Sequence, residues 1–261
     1  MSSNEQDRED VDSILNKVQG VIFDVDPVLT AGDPVCFTAL ARALDLLKER
    51  NIPFRWLTND SLREPEEISE ALRARGLLLD RGTVRTAASY VARRISEKTP
   101  RATVFLLGSD AARAVLEDCG LRVIDEPAEI GYLCDYIVTG AFPAFSHRAL
   151  AEALRCHQLD AALVAIEREP TVPGSDGQPG GGPTTAALEA MFRRGPVFTG
   201  GMPSSDWLQN VAEELNIPGA QCLVVGDVRR SPEEAARTAG MPVLVMGTDY
   251  DQLVSYLKER L

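Results

Sequence analysis

From residue 20 onward, short apolar runs alternate with longer stretches whose apolar positions recur at helical spacing. Val21-Ile22-Phe23 within GVIFDVD and Phe54-Arg55-Trp56-Leu57-Thr58 read as buried strands, and the segments 38–50 and 65–76 read as helices. Strands and helices that alternate in this way favour a parallel sheet with helices on both faces, an α/β fold. The last part of the chain repeats the grammar. PVFTG (196–200) predicts a strand, 206–215 a helix, CLVVGD (222–227) a strand, 232–239 a helix, VLVMG (243–247) a strand, and a terminal helix runs to Leu261.

Between these halves lies a block, 83–195, with its own α/β pattern. Strands are expected at TVFLLG (103–108), YIVTG (136–140) and AALVAI (161–166), and helices at 111–119 and 147–157. The expected organisation is therefore a core made of 1–82 and 196–261 with an inserted domain at 83–195. PTVPGSDGQPGGGP (170–183), near the end of the insert, is dominated by Gly and Pro, so neither helix nor strand is expected there; it reads as a hinge or as a lid element.

Composition narrows the function classes. With 44% apolar and 25% charged residues in 261, the chain is an ordinary globular one, and no apolar run is long enough for a membrane span. A formal charge of −12 argues against a nucleic-acid backbone partner, and it means that any phosphate site works against the global field unless a bound cation offsets it. Cys36, Cys119, Cys134, Cys156 and Cys222 are widely spaced and form no CxxC pair, so reduced thiols in a cytoplasmic protein are expected rather than a zinc site or a disulfide framework. The polar start, MSSNEQDREDVD, has no apolar targeting region and reads as a frayed terminus.

Candidate chemistry sits at the strand ends, where open α/β sheets bind ligands. Asp24 and Asp26 follow the first strand, so one carboxylate can attack while the other shuttles a proton, though a turn or helix cap is the competing reading. Thr58-Asn59-Asp60-Ser61 brings hydroxyl and amide donors to a second strand end, where they can hold phosphate oxygens; Asp60 or Ser61 also qualifies as a helix cap. Gly226-Asp227 offers a further carboxylate, and acidic strand ends of this kind can hold Mg²⁺ through oxygen ligands.

FDVDPVLT, LTNDS, GGMPSSDW and VVGDVRRSPEEAARTAGM, in this order around an inserted block, resemble the haloacid dehalogenase-like superfamily, with the NagD-like phosphatases and their inserted α/β cap as the nearest branch. The resemblance covers nearly the whole chain, including EREPTVPGSDGQPGGGP of the cap. It implies a Rossmann-like core in which Asp24 attacks a phosphate monoester and Asp26 acts as acid and base. It also implies Mg²⁺ held by Asp24, the backbone carbonyl of Asp26 and Asp227, with Thr58 and Asn59 on the phosphoryl group. A small phosphorylated metabolite is the implied substrate class, and the cap is a candidate homodimer surface.

Several positions depart from the family pattern. Where it has Gly-Lys-Pro this chain has Gly201-Met202-Pro203, and Met cannot neutralise phosphate; where it has a second acid after Gly-Asp this chain has Pro232; and Pro27 replaces the usual glycine. Glu233 is read chiefly as part of a helix start. Arg229 and Arg230 are candidates to replace the lysine, against a reading as solvated surface arginines, and Arg168 in the cap is a candidate reader of an anionic substrate group. These departures point to a phosphatase of reduced activity; the alternative is a catalytically inactive binding or regulatory protein. His147 and His157 are expected in surface or capping roles, and Trp56 and Trp207 in the core.

Overall fold

The computed structural model describes residues 18–26, 28, 34–173, 175–226, 232–245 and 250–260, and the chain falls into two compact units. One comprises residues 1–57, 68–84 and 202–261, and the other residues 58–67 and 85–201.

The first unit is built on a five-stranded sheet of order β3-β2-β1-β8-β9. Its strands are β1 (Gly20–Asp24), β2 (Phe54–Thr58), β3 (Val84–Thr86), β8 (Cys222–Gly226) and β9 (Val243–Val245). β1 lies centrally and pairs in parallel with β2 on one side and β8 on the other, with Phe23 opposite both Trp56 and Val225. Every residue of β1 is buried, which is why its sequence is a continuous apolar run rather than an alternating one. Phe23 stacks on Trp56 at 4.5 Å and meets Phe54 edge-on at 6.1 Å. Helix α1 (Pro34–Glu49) packs against the terminal helix α9 (Tyr250–Arg260), and Leu40, Leu44 and Leu47 of α1 share one core with Leu253 and Leu257 of α9.

The second unit carries a four-stranded parallel sheet of order β5-β4-β6-β7, formed by β4 (Thr103–Leu107), β5 (Arg122–Ile124), β6 (Tyr136–Thr139) and β7 (Ala162–Ala165). Its helices start on hydroxyl caps. Thr86 forms a reciprocal capping box with Ser89 at α3 (Ala87–Lys98), Ser109 caps α4 (Asp110–Asp118) and Ser146 caps α5 (His147–Gln158). The fold is thus α/β throughout, with parallel sheets as the alternating pattern requires.

Several elements differ from the sequence reading. PVFTG forms no named strand. The segment runs beside β7 instead: the Val197 N–H donates to the Leu163 carbonyl at 2.8 Å and the Ala165 N–H to the Phe198 carbonyl at 3.2 Å, and Thr199 makes an isolated bridge to Ala165. The short strands β3 and β5 and helix α3 were not anticipated, and the Gly/Pro segment is not free of structure: α6 (Gly181–Phe192) starts inside it. Residues 58–67, expected in the core, pack with the second unit, which spans 85–201 rather than 83–195. Trp56 and Trp207, the latter on α7 (Ser205–Leu215), are fully buried, as expected. Cys134, Cys156 and Cys222 are buried free thiols, whereas Cys36 has its side chain outside the described residues. No helix among the described residues is long and apolar enough to cross a membrane.

Candidate active site

The first unit presents its carboxylates where β1 ends. Asp24 is the last residue of β1 and is 4% exposed; Asp26 is 2% exposed. The local turn is fixed by two bonds: the Val25 N–H reaches the Leu57 carbonyl at 2.8 Å, and the Asp26 N–H reaches Asp24 Oδ1 at 3.1 Å. A carboxylate that accepts the amide of the second residue along closes an Asx-type turn. The turn the sequence suggests is therefore present, and its bond holds one oxygen of Asp24 in place. β8 runs parallel to β1 and leaves the sheet at Gly226 on the same edge. Asp227, Arg229 and Arg230, the candidates that follow it, lie outside the described residues, as does Pro27.

Buried carboxylate oxygens at a strand end are hard donors, and this chemistry suits a divalent cation such as Mg²⁺. Asp24 and Asp26 fit such an ion. The described residues alone form no cluster of three or more His, Cys, Asp or Glu able to hold a metal. Met202 is 5% exposed, an apolar side chain buried where the resemblance would have a lysine. Pro232 opens α8 (Pro232–Ala239), and Glu233 in its first turn accepts two bonds from Arg237, at 3.0 and 2.7 Å. Glu233 therefore behaves as the helix-start residue the sequence suggests.

In the second unit, Thr58, Asn59, Asp60 and Ser61 are all nearly fully buried, which is unusual for four successive polar residues after a strand. Each is accounted for. Thr58 Oγ1 accepts the Asp60 N–H at 3.0 Å, and Asp60 takes the Leu62 N–H at 2.8 Å and the Arg63 guanidinium at 2.6 Å. Neither Asp60 nor Ser61 caps the following helix α2 (Pro65–Arg73). Glu67 in its first turn reaches back instead, its carboxylate accepting the Glu64 N–H at 2.7 Å, as the third residue of a capping box does. Ser61 is instead tied into the second unit: its Oγ accepts the Ala141 N–H at 3.1 Å and donates to Glu167 Oε1 at 3.1 Å, while its carbonyl accepts from the Ser109 hydroxyl. The Asn59 amide donates to Glu169 Oε1 at 2.9 Å.

Glu167 is 1% exposed and accepts the Glu169 N–H at 2.6 Å and the Gly181 N–H at 2.5 Å besides the Ser61 hydroxyl. Burial pushes its carboxyl up to about 7; those donors pull it down, and the charge of Glu169 pushes it up further.

Comparison with known proteins places this architecture. Residues 21–122 match the model of the haloacid dehalogenase-like hydrolases. Mouse chronophin is 33% identical over 234 residues, covering 82% of this chain and 75% of that protein, and an acid sugar phosphatase of Staphylococcus saprophyticus is 26% identical over 215 residues, covering 82% and 80%. The chain belongs to the haloacid dehalogenase-like family, in its NagD-like branch. The fold of this haloacid dehalogenase-like chain matches the crystal structure of a putative p-nitrophenyl phosphatase from Bacillus subtilis with a TM-score of 0.81 at 22% identity, over 93% of this chain and 97% of that one.

Among the candidates in this haloacid dehalogenase-like chain, Asp24 and Asp26 come together at the end of β1, and Thr58 and Asn59 stand at and just beyond the end of β2. Arg168 is exposed and forks onto Glu189, with bonds of 2.7 and 2.8 Å. The sequence reading missed the buried bonds of its neighbours, Glu167 and Glu169. A signal was present in Gly180-Gly181-Gly182, because consecutive glycines can mark a place where one backbone must approach another closely.

Proposed function

We propose that the protein is a Mg²⁺-dependent phosphate monoester hydrolase that works through an aspartyl phosphate, with turnover lowered by Met202 and Pro232. The observation that carries the reading is the buried Asp24–Asp26 pair at the end of the central strand. The relatives, named as phosphatases, support it.

In this reading Asp24 Oδ attacks phosphorus, the P–O bond to the alcohol breaks, and Asp26 gives the departing oxygen its proton. Asp26, now a carboxylate, takes a proton from water as that water attacks the aspartyl phosphate, so that orthophosphate leaves and Asp24 is regenerated. Mg²⁺ held by Asp24, the Asp26 carbonyl and Asp227 would neutralise charge between phosphate and carboxylates. Thr58 and Asn59 hold phosphoryl oxygens through hydroxyl and amide donors. The substrate is a small phosphorylated metabolite, met in the cytoplasm.

The test is phosphate release from an aryl phosphate and a panel of small monoesters, with Mg²⁺ or EDTA, for wild type and Asp24→Asn. Release that needs Mg²⁺ and disappears in Asp24→Asn is expected. Equal silence of both proteins would reject the reading. A second reading, an inactive binding protein that keeps the same carboxylates, is favoured by the burial of apolar Met202 at the lysine position.

A further inference from the structure

Glu167 is a carboxylate in the wrong kind of place for mere packing. It is almost fully buried, and among the described residues its partners are neutral donors from three separate segments rather than a cation. Burying an unpaired charge is costly, so a tie of this kind needs a gain elsewhere. What it gains is convergence. The Ser61 hydroxyl comes from the loop after β2, the Glu169 N–H from the loop after β7, and the Gly181 N–H from the start of α6.

Two further contacts carry the knot to Asn59. Glu169 accepts from the Asn59 amide nitrogen, which settles which way that amide points, since only its nitrogen can donate to a carboxylate. On the other side the backbone at Gly201 closes in: a Cβ there would stand 2.5 Å from Asn59 Oδ1 and 2.9 Å from Glu167 Cβ. The glycines of α6 permit the same approach, for a Cβ on Gly181 would meet Glu167 Oε1 at 2.5 Å.

From this geometry we infer that Glu167, acting through Ser61 and Glu169, is a positioning residue that holds the loop 58–61 and the Asn59 amide in one orientation for the phosphoryl group. The inference rests on the phosphatase reading for its catalytic consequence, but the ordering of the loop stands apart from it. Glu167 touches no reacting atom. The ionised carboxylate can accept from all of its donors at once, whereas the protonated acid has one oxygen committed to its own hydrogen, and a backbone N–H opposite that oxygen loses its acceptor. The tie therefore changes state near neutral pH, since the group titrates at about 7. The charged side chain acting on it is Glu169, on its own loop; the β2 loop presents the Ser61 hydroxyl and α6 a backbone N–H.

The experiment compares wild type, Glu167→Gln and Glu169→Gln in full-length protein. It measures kcat and KM for phosphate release between pH 5.5 and 8.5, and amide hydrogen exchange of the peptide spanning 58–62. Glu167→Gln is expected to lower kcat about 10–100-fold with KM little changed, the size of effect that a small misplacement of a binding group produces. It should also lose the fall in kcat/KM below about pH 7 that wild type shows, and its 58–62 amides should exchange faster. Glu169→Gln, less buried, should lower kcat in the same direction and guards against a folding defect in the first variant. Kinetics and exchange unchanged in both variants, or an activity loss with the wild-type pH profile intact, would overturn the inference. If wild type itself releases no phosphate, the phosphatase reading fails and exchange alone decides: faster exchange in Glu167→Gln upholds the positioning role, and equal exchange rejects it.

Discussion

At the residue scale, Met202 and Glu167 concentrate what is particular to this chain. Met202 is buried at the position where the family resemblance has a cation, and in the proposed phosphatase reading that leaves the phosphoryl group without a preorganised charge. Restoring it with Met202→Lys should raise kcat by about 10²-fold if the remaining machinery is competent, as removal of one such donor costs about 10²–10³. No gain in a phosphate-release assay would favour the binding-protein reading. Glu167 makes a separate prediction about stability. Its folded value of about 7 lies above the ordinary 4.5, so between those pH values the folded protein binds more protons than the unfolded chain. The contribution is complete below about 4.5 and is lost as pH rises through about 7, by roughly 3 kcal/mol at most. Thermal melts at pH 5 and pH 8 should show the loss in wild type and not in Glu167→Gln, which carries no charge at either pH. Above about pH 7 the carboxylate that orders the loop is thus ionised at a cost to stability, a common arrangement at functional sites.

At the element scale, the glycine run shows why composition misleads. Gly180-Gly181-Gly182 in a stretch rich in Gly and Pro suggests a hinge or a lid, yet α6 begins there and its first turn lies against the backbone of 167–169. A Cβ on Gly182 would stand 2.7 Å from the Arg168 carbonyl and 2.8 Å from that of Glu169, and the Gly182 N–H donates to Glu169 at 3.0 Å. Gly182→Ala should therefore destabilise the protein by about 1–3 kcal/mol in urea unfolding, as overpacking does, and not stabilise it as Gly→Ala does at an open helix position. A neutral or stabilising result would contradict this close approach. The strongly periodic helices 147–158 and 232–239 and the apolar strands β1, β4 and β8 are legible in the sequence, because burial on both faces or one helical face dictates residue type. The three-residue strands β3 and β5 are not, since so short a segment has no periodicity to read.

For the whole molecule, the charge of −12 and the buried carboxylates at the end of β1 mean that, in the proposed reading, a divalent cation held there would stabilise the folded state. Anything that binds only the folded state stabilises it by mass action, about 2.7 kcal/mol at a hundredfold excess over Kd. Mg²⁺ should accordingly raise the wild-type melting temperature reversibly with EDTA, and Asp24→Asn should lose most of that shift. Identical melts with Mg²⁺ and EDTA would count against a metal held at Asp24. Each unit has its own parallel sheet, and the second takes in residues 58–67 from the loop after β2.

The sequence by itself determined the α/β class, the parallel strands and the placing of Asp24, Asp26, Thr58 and Asn59 at or near strand ends, because burial and strand periodicity act on neighbouring residues. The family followed from motifs in their order. Only the tertiary structure decided what Ser61, Glu167 and Glu169 do. Their partners lie 106 and 110 residues away in the chain, and a hydrogen bond between distant segments leaves no local pattern. It also turned Gly180–Gly182 from a flexible linker into a packed helix start, since whether a glycine gives freedom or close approach depends on what stands opposite the missing Cβ.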